Sequence, residues 1–342
     1  MTVTVGIIAN PASGRDLRRL TAQAGLHSST DKANAIQRLL GAFAVTGVER
    51  VLLPTDMTGI AAAVLKASSG AQARAARWPQ LEFLDFPLSQ TVADTRQAAR
   101  LMVARGVNLI AVLGGDGTHK AVAAEAGQVP LLALSTGTNN AFPELRETTT
   151  AGLAGGLCAS GRIPPSVGLR QNKRLLVTVP EQDLCECALV DVAVSPRTFI
   201  GARALSRSED LAQVFVTFGE PHAIGLSALA GLWCPVSRQA EHGAWLQLGE
   251  GSAHTLHAPL APGVIQACGI RAWGPLPPGQ PQPLVLPRGT LALDGEREIE
   301  FSDHDHPQVT LDRHGPLSID VEAALAYAAR ERLLAMPLTF TR

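Results

Sequence analysis

The sequence has little of what marks secreted, membrane or nucleic-acid-binding proteins. Aromatic residues make up only 4% of the 342 residues, and 29 lysines and arginines are balanced by 30 aspartates and glutamates. Because binding to a phosphate backbone needs a positive surface, the net charge of −1 argues against a nucleic-acid partner. The longest apolar stretch, at 223–236, is too short and too rich in glycine to span a bilayer, so we expect no membrane partner.

Cysteine is scarce as well, and its spacing favours free thiols over a disulfide framework. The cysteines stand at positions 158, 185, 187, 234 and 268. An odd number without a CxxC pair is typical of reduced thiols in the cytosol. The first nine residues lack a basic segment and form a strand-like run, so we expect no signal peptide and a cytoplasmic protein.

The chain does have apolar material for a large core, since 46% of its residues are hydrophobic. Buried-strand and helix patterns alternate over residues 1–147, which predicts a doubly wound, Rossmann-like α/β domain with a parallel sheet. Short strand-like runs between prolines and glycines follow over residues 148–318, which predicts a β-rich, sandwich-like domain. Residues 319–342 carry an amphipathic helix, with Ser318 as its cap, that we expect to pack back on the first domain.

The most informative motif is a glycine-rich pentapeptide between a predicted buried strand, 107–113, and a predicted helix, 120–126. Its residues are Gly114, Gly115, Asp116, Gly117 and Thr118. Glycines allow close approach to the backbone and a helix N-terminus favours negative charge, so the turn suits a polyphosphate. Asp116 would then organise a nucleotide-bound Mg²⁺ or accept a proton from an attacking hydroxyl, with a helix N-cap as the structural alternative. The motif predicts nucleotide-dependent phosphoryl transfer.

Two further polar loops follow predicted strands of the same sheet. In the loop at 10–14, Asn10, Ser13 and Gly14 could contact phosphate, although an Asn-Pro turn explains the same residues. The loop at 135–143 could contact ribose or adenine. Its candidate residues are Gly137, Thr138, Asn139 and Asn140. Because ligands bind outside the carboxyl ends of parallel strands, we expect the three loops to converge at one edge of the sheet.

Three acidic residues of the β-rich part are weaker candidates for binding an acceptor. Asp294 and Glu296 flank Gly295, and an Asp-Gly pair is first of all a hairpin-turn signal. Asp191 lies inside a strand-like run, where it equally fits the solvent-facing position of an alternating strand.

Together, the order and spacing of the three loops resemble the signature of the NAD kinase and diacylglycerol kinase superfamily. Within it, residues 6–16 and 135–143 most resemble the acetoin catabolism protein X group. The resemblance implies an α/β nucleotide-binding domain, a β-rich second domain, and a cleft between them that holds ATP, Mg²⁺ and the acceptor. It also implies a homo-oligomer.

The same resemblance implies roles for individual residues. Asp116 is the catalytic or metal-organising acid, the neighbouring glycines and Thr118 line the phosphates, and Asn139 and Asn140 contact nucleotide. Asp191 falls on the acid of an Asn-Glu/Asp pair that holds the dinucleotide in NAD kinases, whereas Val190 replaces the asparagine. Residues 220–227 keep little of the acceptor loop of NAD kinases, and residues 294–296 resemble the Asp-Gly-Glu turn of the lipid-kinase branch.

Three functions fit these observations. The first is an ATP- and Mg²⁺-dependent kinase that phosphorylates the 2′-hydroxyl of NAD(H). The second is a kinase of another small acceptor, such as a polyol, an acetoin-related metabolite or a lipid. The third is a nucleotide sensor without catalytic activity.

Overall fold

A parallel sheet forms the centre of the N-terminal part, as the alternating pattern predicts. The computed structural model describes residues 2–11, 28–136, 140–201, 205 and 207–335. Parallel pairing joins the strands β1 (Thr4–Ala9), β2 (Arg50–Pro54), β3 (Gln80–Leu84), β4 (Leu109–Gly114) and β5 (Leu131–Ser135). Their order is β3-β2-β1-β4-β5, so the direction of winding reverses between β1 and β4. In such sheets the carboxyl ends at the reversal form a ligand-binding crevice.

Helices cover both faces of this sheet. They are α1 (Ser29–Thr46), α2 (Ile60–Ser68), α3 (Ala71–Ala75), α4 (Val92–Ala104) and α5 (Asp116–Ala126). Apolar residues of α1 and α2 pack with one face of the strands, and those of α4 and α5 pack with the other. A capping box starts α1, because Ser28 accepts from the Asp31 amide and Asp31 accepts from the Ser28 amide. The predicted doubly wound α/β architecture is confirmed.

Two antiparallel sheets form the β-rich part. The smaller sheet comprises the strands β7 (Arg174–Val179), β8 (Leu184–Ala188), β14 (Gln282–Pro283) and β17 (Gln308–Asp312), in the spatial order β14-β17-β7-β8. The larger sheet comprises the strands β9 (Asp191–Ser195), β10 (Gln213–Val216), β11 (Gly243–Leu248), β12 (His254–Ala261), β13 (Val264–Leu276), β15 (Gly289–Leu293) and β16 (Glu296–Phe301). Their spatial order is β12-β13-β11-β10-β9-β15-β16. One apolar core lies between the sheets, so the sandwich-like prediction is confirmed. A short helix, α8 (Ser227–Trp233), packs on the other face of the larger sheet.

The first sheet is larger than the sequence indicated. The helix α6 (Thr148–Ala159) packs on α1, and α7 (Pro165–Gly168) follows it. Two short strands, β6 (Leu169–Gln171) and β18 (Leu317–Ile319), then extend the parallel sheet beyond β5. The sequence analysis assigned this segment to the β-rich domain because α6, rich in glycine and alanine, has no apolar stripe that would reveal a helix.

The C-terminal helix returns to the first part of the molecule, as predicted. It is α9 (Val321–Arg330), and its Ala324 and Ala328 are buried in the core shared with α1 and α6. Its cap is Asp320, which accepts from the Ala323 amide at 3.1 Å. The predicted cap, Ser318, instead lies in β18 and accepts from Asn172 Nδ2 at 2.8 Å.

The structure also bears on cysteine chemistry and on membrane-spanning length. All five cysteines are free, and burial raises the pKa of the Cys158 and Cys268 thiols to about 11. In the described ranges, no helix combines the length and the apolar character needed to cross a bilayer.

The contact between α1 and α6 depends on glycine. A Cβ on Gly156 would lie 2.0 Å from Thr46 Oγ1, which is itself hydrogen-bonded to the Ala42 carbonyl. Overpacking of this kind costs about 1–3 kcal/mol, more than the roughly 1 kcal/mol that alanine gains over glycine in a helix. We predict that Gly156→Ala lowers the free energy of unfolding by about 1–2 kcal/mol, measured by urea denaturation.

The matched control is Gly117→Ala on α5, where the added Cβ meets no described atom within 4 Å. Because alanine also gains up to about 1 kcal/mol over glycine in a helix, this variant should be at least as stable as the parent. Equal stability of the two variants would contradict the packing argument.

Candidate active site

The loops after β1, β4 and β5 are hydrogen-bonded to one another at the carboxyl edge of the sheet. Asn10 Nδ2 donates to Thr118 Oγ1 at 2.8 Å, and the Asn10 amide donates to the Leu113 carbonyl at 3.1 Å. The Thr136 amide donates to the Gly114 carbonyl at 3.1 Å. Five predicted contacts lie outside the described residues: Ser13, Gly14, Gly137, Thr138 and Asn139.

The glycines of the pentapeptide differ in what surrounds them. A Cβ on Gly114 would approach the Thr118 side chain to 2.5 Å, and one on Gly115 would approach Asn140 Oδ1 to 2.7 Å. Gly114 therefore allows the first turn of α5 to fold close to the end of β4, and Gly115 allows the loop after β5 to pack on this turn. Gly117 has no described atom within 4 Å of its Cβ position, so the described residues leave space beside it.

Asp116 joins the pentapeptide to the loop after β5. It is the first residue of α5, whose N-cap is Gly115, so Asp116 is not itself the cap. Its buried carboxylate accepts from the Ala141 amide at 3.1 Å and from the Phe142 amide at 2.8 Å. Its own amide donates to Asn140 Oδ1 at 3.3 Å. The carboxylate is thus held in one orientation by main-chain donors.

Three aspartates that the sequence analysis singled out line one pocket between the two parts of the chain. They are Asp116, Asp191 and Asp294. The other lining residues are aliphatic or glycine: Ala141, Leu205, Ile224, Gly225, Leu226, Leu260 and Gly295. A ligand in this pocket would meet carboxylate oxygens on one side and an apolar wall on the other.

Asp294 is a hairpin residue that also supports the pocket. It forms the turn between β15 and β16 together with Gly295, with φ values of 51° and 79°. Its carboxylate accepts from the amides of Leu189 and Val190 at 3.0 and 2.8 Å, which fixes the segment leading into Asp191. Burial raises the pKa of Asp294, and the Lys120 ammonium opposes that rise. Glu296, by contrast, begins β16 and is outside the pocket lining.

Lys120, which the sequence analysis missed, links the two parts of the molecule. It lies one helical turn after Asp116, and its Nζ donates to both carboxylate oxygens of Glu298 at 2.6 and 2.7 Å. Burial acts to lower the pKa of Lys120, but the carboxylates of Asp294 and Glu298 together outweigh it and raise the pKa. The ammonium therefore stays protonated and balances the acids around it.

Two more buried side chains support the loops. Lys32 Nζ donates to the Asn10 carbonyl at 2.9 Å, which ties α1 to the loop after β1. His119 Nδ1 lies 2.9 Å from the Gly115 carbonyl, and its ring packs on Phe142 at a centroid distance of 5.7 Å. Burial lowers the pKa of His119 to about 4, so the imidazole is neutral near pH 7 and supports the turn without adding charge.

The described residues contain no cluster of three or more histidine, cysteine, aspartate or glutamate side chains that would hold a metal by themselves. Mg²⁺ commonly needs only one or two protein carboxylates when phosphate oxygens and water supply the remaining ligands. The single acid Asp116 at the start of α5 fits that second kind of site.

Comparison with known proteins agrees with this arrangement. Residues 5–163 match the family model of the ATP-NAD kinase N-terminal domain, and residues 173–314 match that of the acetoin catabolism protein X C-terminal domain. The Acetoin catabolism protein X of Cupriavidus necator is 46% identical over 336 residues, which cover 96% of this chain and 93% of that protein.

The chain belongs to the acetoin catabolism protein X family. Its two family segments meet between residues 163 and 173, where the chain passes through α7 and β6 into β7. A crystal structure from Bacillus anthracis, provisionally described as a diacylglycerol kinase, aligns with a TM-score of 0.44 and 12% identity. That alignment covers 92% of this chain and 97% of the other.

In this member of the acetoin catabolism protein X family, the Lys120–Glu298 pair should stabilise the contact between the two parts. Lys120→Met would leave Glu298 and Asp294 without their cation. Removing one partner of a buried pair costs about 3–5 kcal/mol, and because 28% of the Glu298 side chain is exposed we expect a smaller loss of about 2–3 kcal/mol. Chemical denaturation measures this loss of stability. Glu298→Gln and the double variant complete a double-mutant cycle, which isolates the energy of the ion pair.

The matched control is the pair Arg100–Glu125, whose arginine side chain is 55% exposed and whose acid lies at the other end of α5. Arg100→Met should cost no more than about 1 kcal/mol. If Lys120→Met costs no more than this control, the ion pair does not stabilise the contact.

Proposed function

We propose that this chain is an ATP- and Mg²⁺-dependent kinase that transfers phosphate to a hydroxyl group in the pocket beside Asp116. One observation carries the proposal. The acid at the first turn of α5, on the ligand-binding edge of an ATP-NAD kinase domain, shares a pocket with Asp191 and Asp294 of the β-rich part. A phosphate donor bound at α5 and an acceptor bound in the pocket would thus meet at one carboxylate.

The donor side of the proposal rests on the N-terminus of α5. The dipole of a helix N-terminus favours phosphate, and Gly117, whose Cβ position has no described atom within 4 Å, allows close approach of a ligand. Asn10 and Thr118 are hydrogen-bonded beside this turn, where their polar groups can contact the nucleotide.

The chemistry assigned to Asp116 follows from its fixed orientation. With its carboxylate held by the Ala141 and Phe142 amides, Asp116 can accept the proton of an acceptor hydroxyl as that oxygen attacks phosphorus. Nucleotide-bound Mg²⁺, for which Asp116 is the candidate protein ligand, would supply neutralisation of phosphate charge. The aliphatic wall of Ile224, Leu226 and Leu260 would limit the access of water, which competes with the acceptor for the phosphate.

NAD(H) is the first acceptor to consider, through its ribose 2′-hydroxyl. The match of residues 5–163 to the ATP-NAD kinase domain supports it. By the resemblance to NAD kinases, Asp191 would correspond to their dinucleotide-binding acid. Carboxylates such as Asp191 are strong hydrogen-bond acceptors for ribose hydroxyls.

A small uncharged polyol is the second candidate acceptor, and the pocket lining favours it. Among the described lining residues there are three aspartates and no lysine, arginine or histidine. Lys120 offsets part of the charge of Asp294, and the remaining negative charge would repel a negatively charged dinucleotide but not a neutral diol.

We predict that Asp116→Asn lowers kcat by about 10²–10⁴-fold while ATP still binds, because removal of a proton acceptor affects the transition state more than binding. The assay measures ATP consumption with Mg²⁺, using NAD⁺, NADH and neutral polyols in parallel, with NADP(H) detected by a specific dehydrogenase. Calorimetry checks that the variant still binds ATP. Its melting temperature checks that the loops around Asp116 keep their contacts. Near-normal turnover of the variant would refute the role of Asp116.

Gly117→Ala tests the donor side. An added methyl group meets no described protein atom within 4 Å, so stability should not fall, but the methyl group would obstruct phosphate at the helix N-terminus. We expect ATP affinity to fall at least about tenfold by calorimetry, which corresponds to about 1.4 kcal/mol. Unchanged affinity would show that the nucleotide does not approach this turn.

A further inference from the structure

Arg238, from the β-rich part, is hydrogen-bonded to the segment 141–142, whose amides hold the Asp116 carboxylate. Its side chain is 10% exposed. Nη1 donates to the Phe142 carbonyl at 3.1 Å, and Nη2 donates to the Ala141 carbonyl. Since the amides of these two residues donate to the Asp116 carboxylate, the segment is held by a cation on its carbonyl side and by an anion on its amide side.

The same guanidinium contacts the segment that leads into the acceptor side of the pocket. Arg238 Nε donates to Glu220 Oε2 at 3.3 Å, and the guanidinium lies 4.0 Å above the centre of the Phe218 ring. Residues 224–226, shortly after Glu220, line the pocket opposite Asp116. The Arg238 side chain therefore contacts both the loop that contains residues 141–142, here called the donor-side loop, and the segment 218–226, here called the acceptor-side segment.

The turn that carries Arg238 is itself anchored. Buried Lys173 donates through Nζ to the carbonyls of Ser237, Ala240 and His242 at 3.3, 2.8 and 2.8 Å. The amide and carbonyl groups of Val236 and Gly219 pair reciprocally at 2.9 Å, which joins the turn to the Glu220 segment. The guanidinium is thus presented from a fixed base.

Arg238 does not reach the acceptor pocket. It lines a different pocket, together with Phe142, Arg170 and Asn172, and it is absent from the lining around Asp116. Any influence on the reaction must therefore pass through the peptide segment at 141–142.

We propose that Arg238 is a positioning residue that keeps the Asp116 carboxylate oriented and couples the donor-side loop to the acceptor-side segment. This inference rests on the proposed kinase function. An arginine fits the role because its planar fork can donate to two successive carbonyls and to a carboxylate at once, while a lysine ammonium cannot reproduce that geometry.

The test compares Arg238→Lys with Glu220→Gln and with a control, Arg174→Lys. Arg174 pairs with Asp312 in the smaller sheet, away from the pocket. The first readout is amide hydrogen exchange by mass spectrometry. In Arg238→Lys, exchange in a peptide spanning 140–146 should rise at least about tenfold, with a smaller rise in Glu220→Gln and none in the control.

The second readout is steady-state kinetics with ATP and whichever acceptor the parent protein phosphorylates. In Arg238→Lys we expect kcat to fall about 10–100-fold with KM for ATP within about threefold, because orientation is lost and donor binding is not. A rise in KM alone would contradict positioning.

The two readouts separate failure of this inference from failure of the proposed function. Unchanged exchange at 140–146 in Arg238→Lys, or an equal rise over the whole chain, overturns the positioning role whether or not the parent is a kinase. If the parent shows no turnover, the exchange result alone decides whether Arg238 holds the segment.

Discussion

The hydrogen bonds between the Asp116 carboxylate and the amides of Ala141 and Phe142 connect every part of the candidate site. They join the helix that follows β4 to the loop that follows β5, at the edge where a parallel sheet binds its ligands. On the far side of the same segment, Arg238 brings in the β-rich part. The Asp116 carboxylate, the loop after β5 and Arg238 thus form one chain of contacts.

Charge balance is the second constraint on the site. Buried carboxylates are costly unless fixed donors or cations compensate them. Asp294 has main-chain donors at Leu189 and Val190 and the nearby Lys120 ammonium, and Lys120 in turn pairs with Glu298. The carboxylates can therefore stay buried at the pocket wall without destabilising the contact between the two parts of the molecule.

Much of the fold, and the convergence of the described loop residues at one edge of the sheet, could be predicted from the sequence, because both depend on local patterns. Apolar runs ending in glycine, such as the one before Gly114, identify buried parallel strands and the loops at their carboxyl ends. The pattern does not reveal why Gly115 is needed, since its close neighbour Asn140 lies on another loop.

Features made by distant or weakly patterned segments could not be predicted in this way. The helix α6 lacks an apolar stripe, and β6 and β18 are three residues each. Lys120 meets a partner 178 residues away, and Arg238 meets one 96 residues away. Only the folded chain shows that these side chains belong to the site.

The central claim is that the N-terminus of α5 binds the transferring phosphate beside Asp116. The most direct test is a crystal structure with Mg²⁺ and a non-hydrolysable ATP analogue. The account predicts the terminal phosphate against the open face of Gly117, with the Asp116 carboxylate facing the reacting end of the nucleotide. A nucleotide bound elsewhere, or a terminal phosphate directed away from the pocket of Asp116, Asp191 and Asp294, would contradict it.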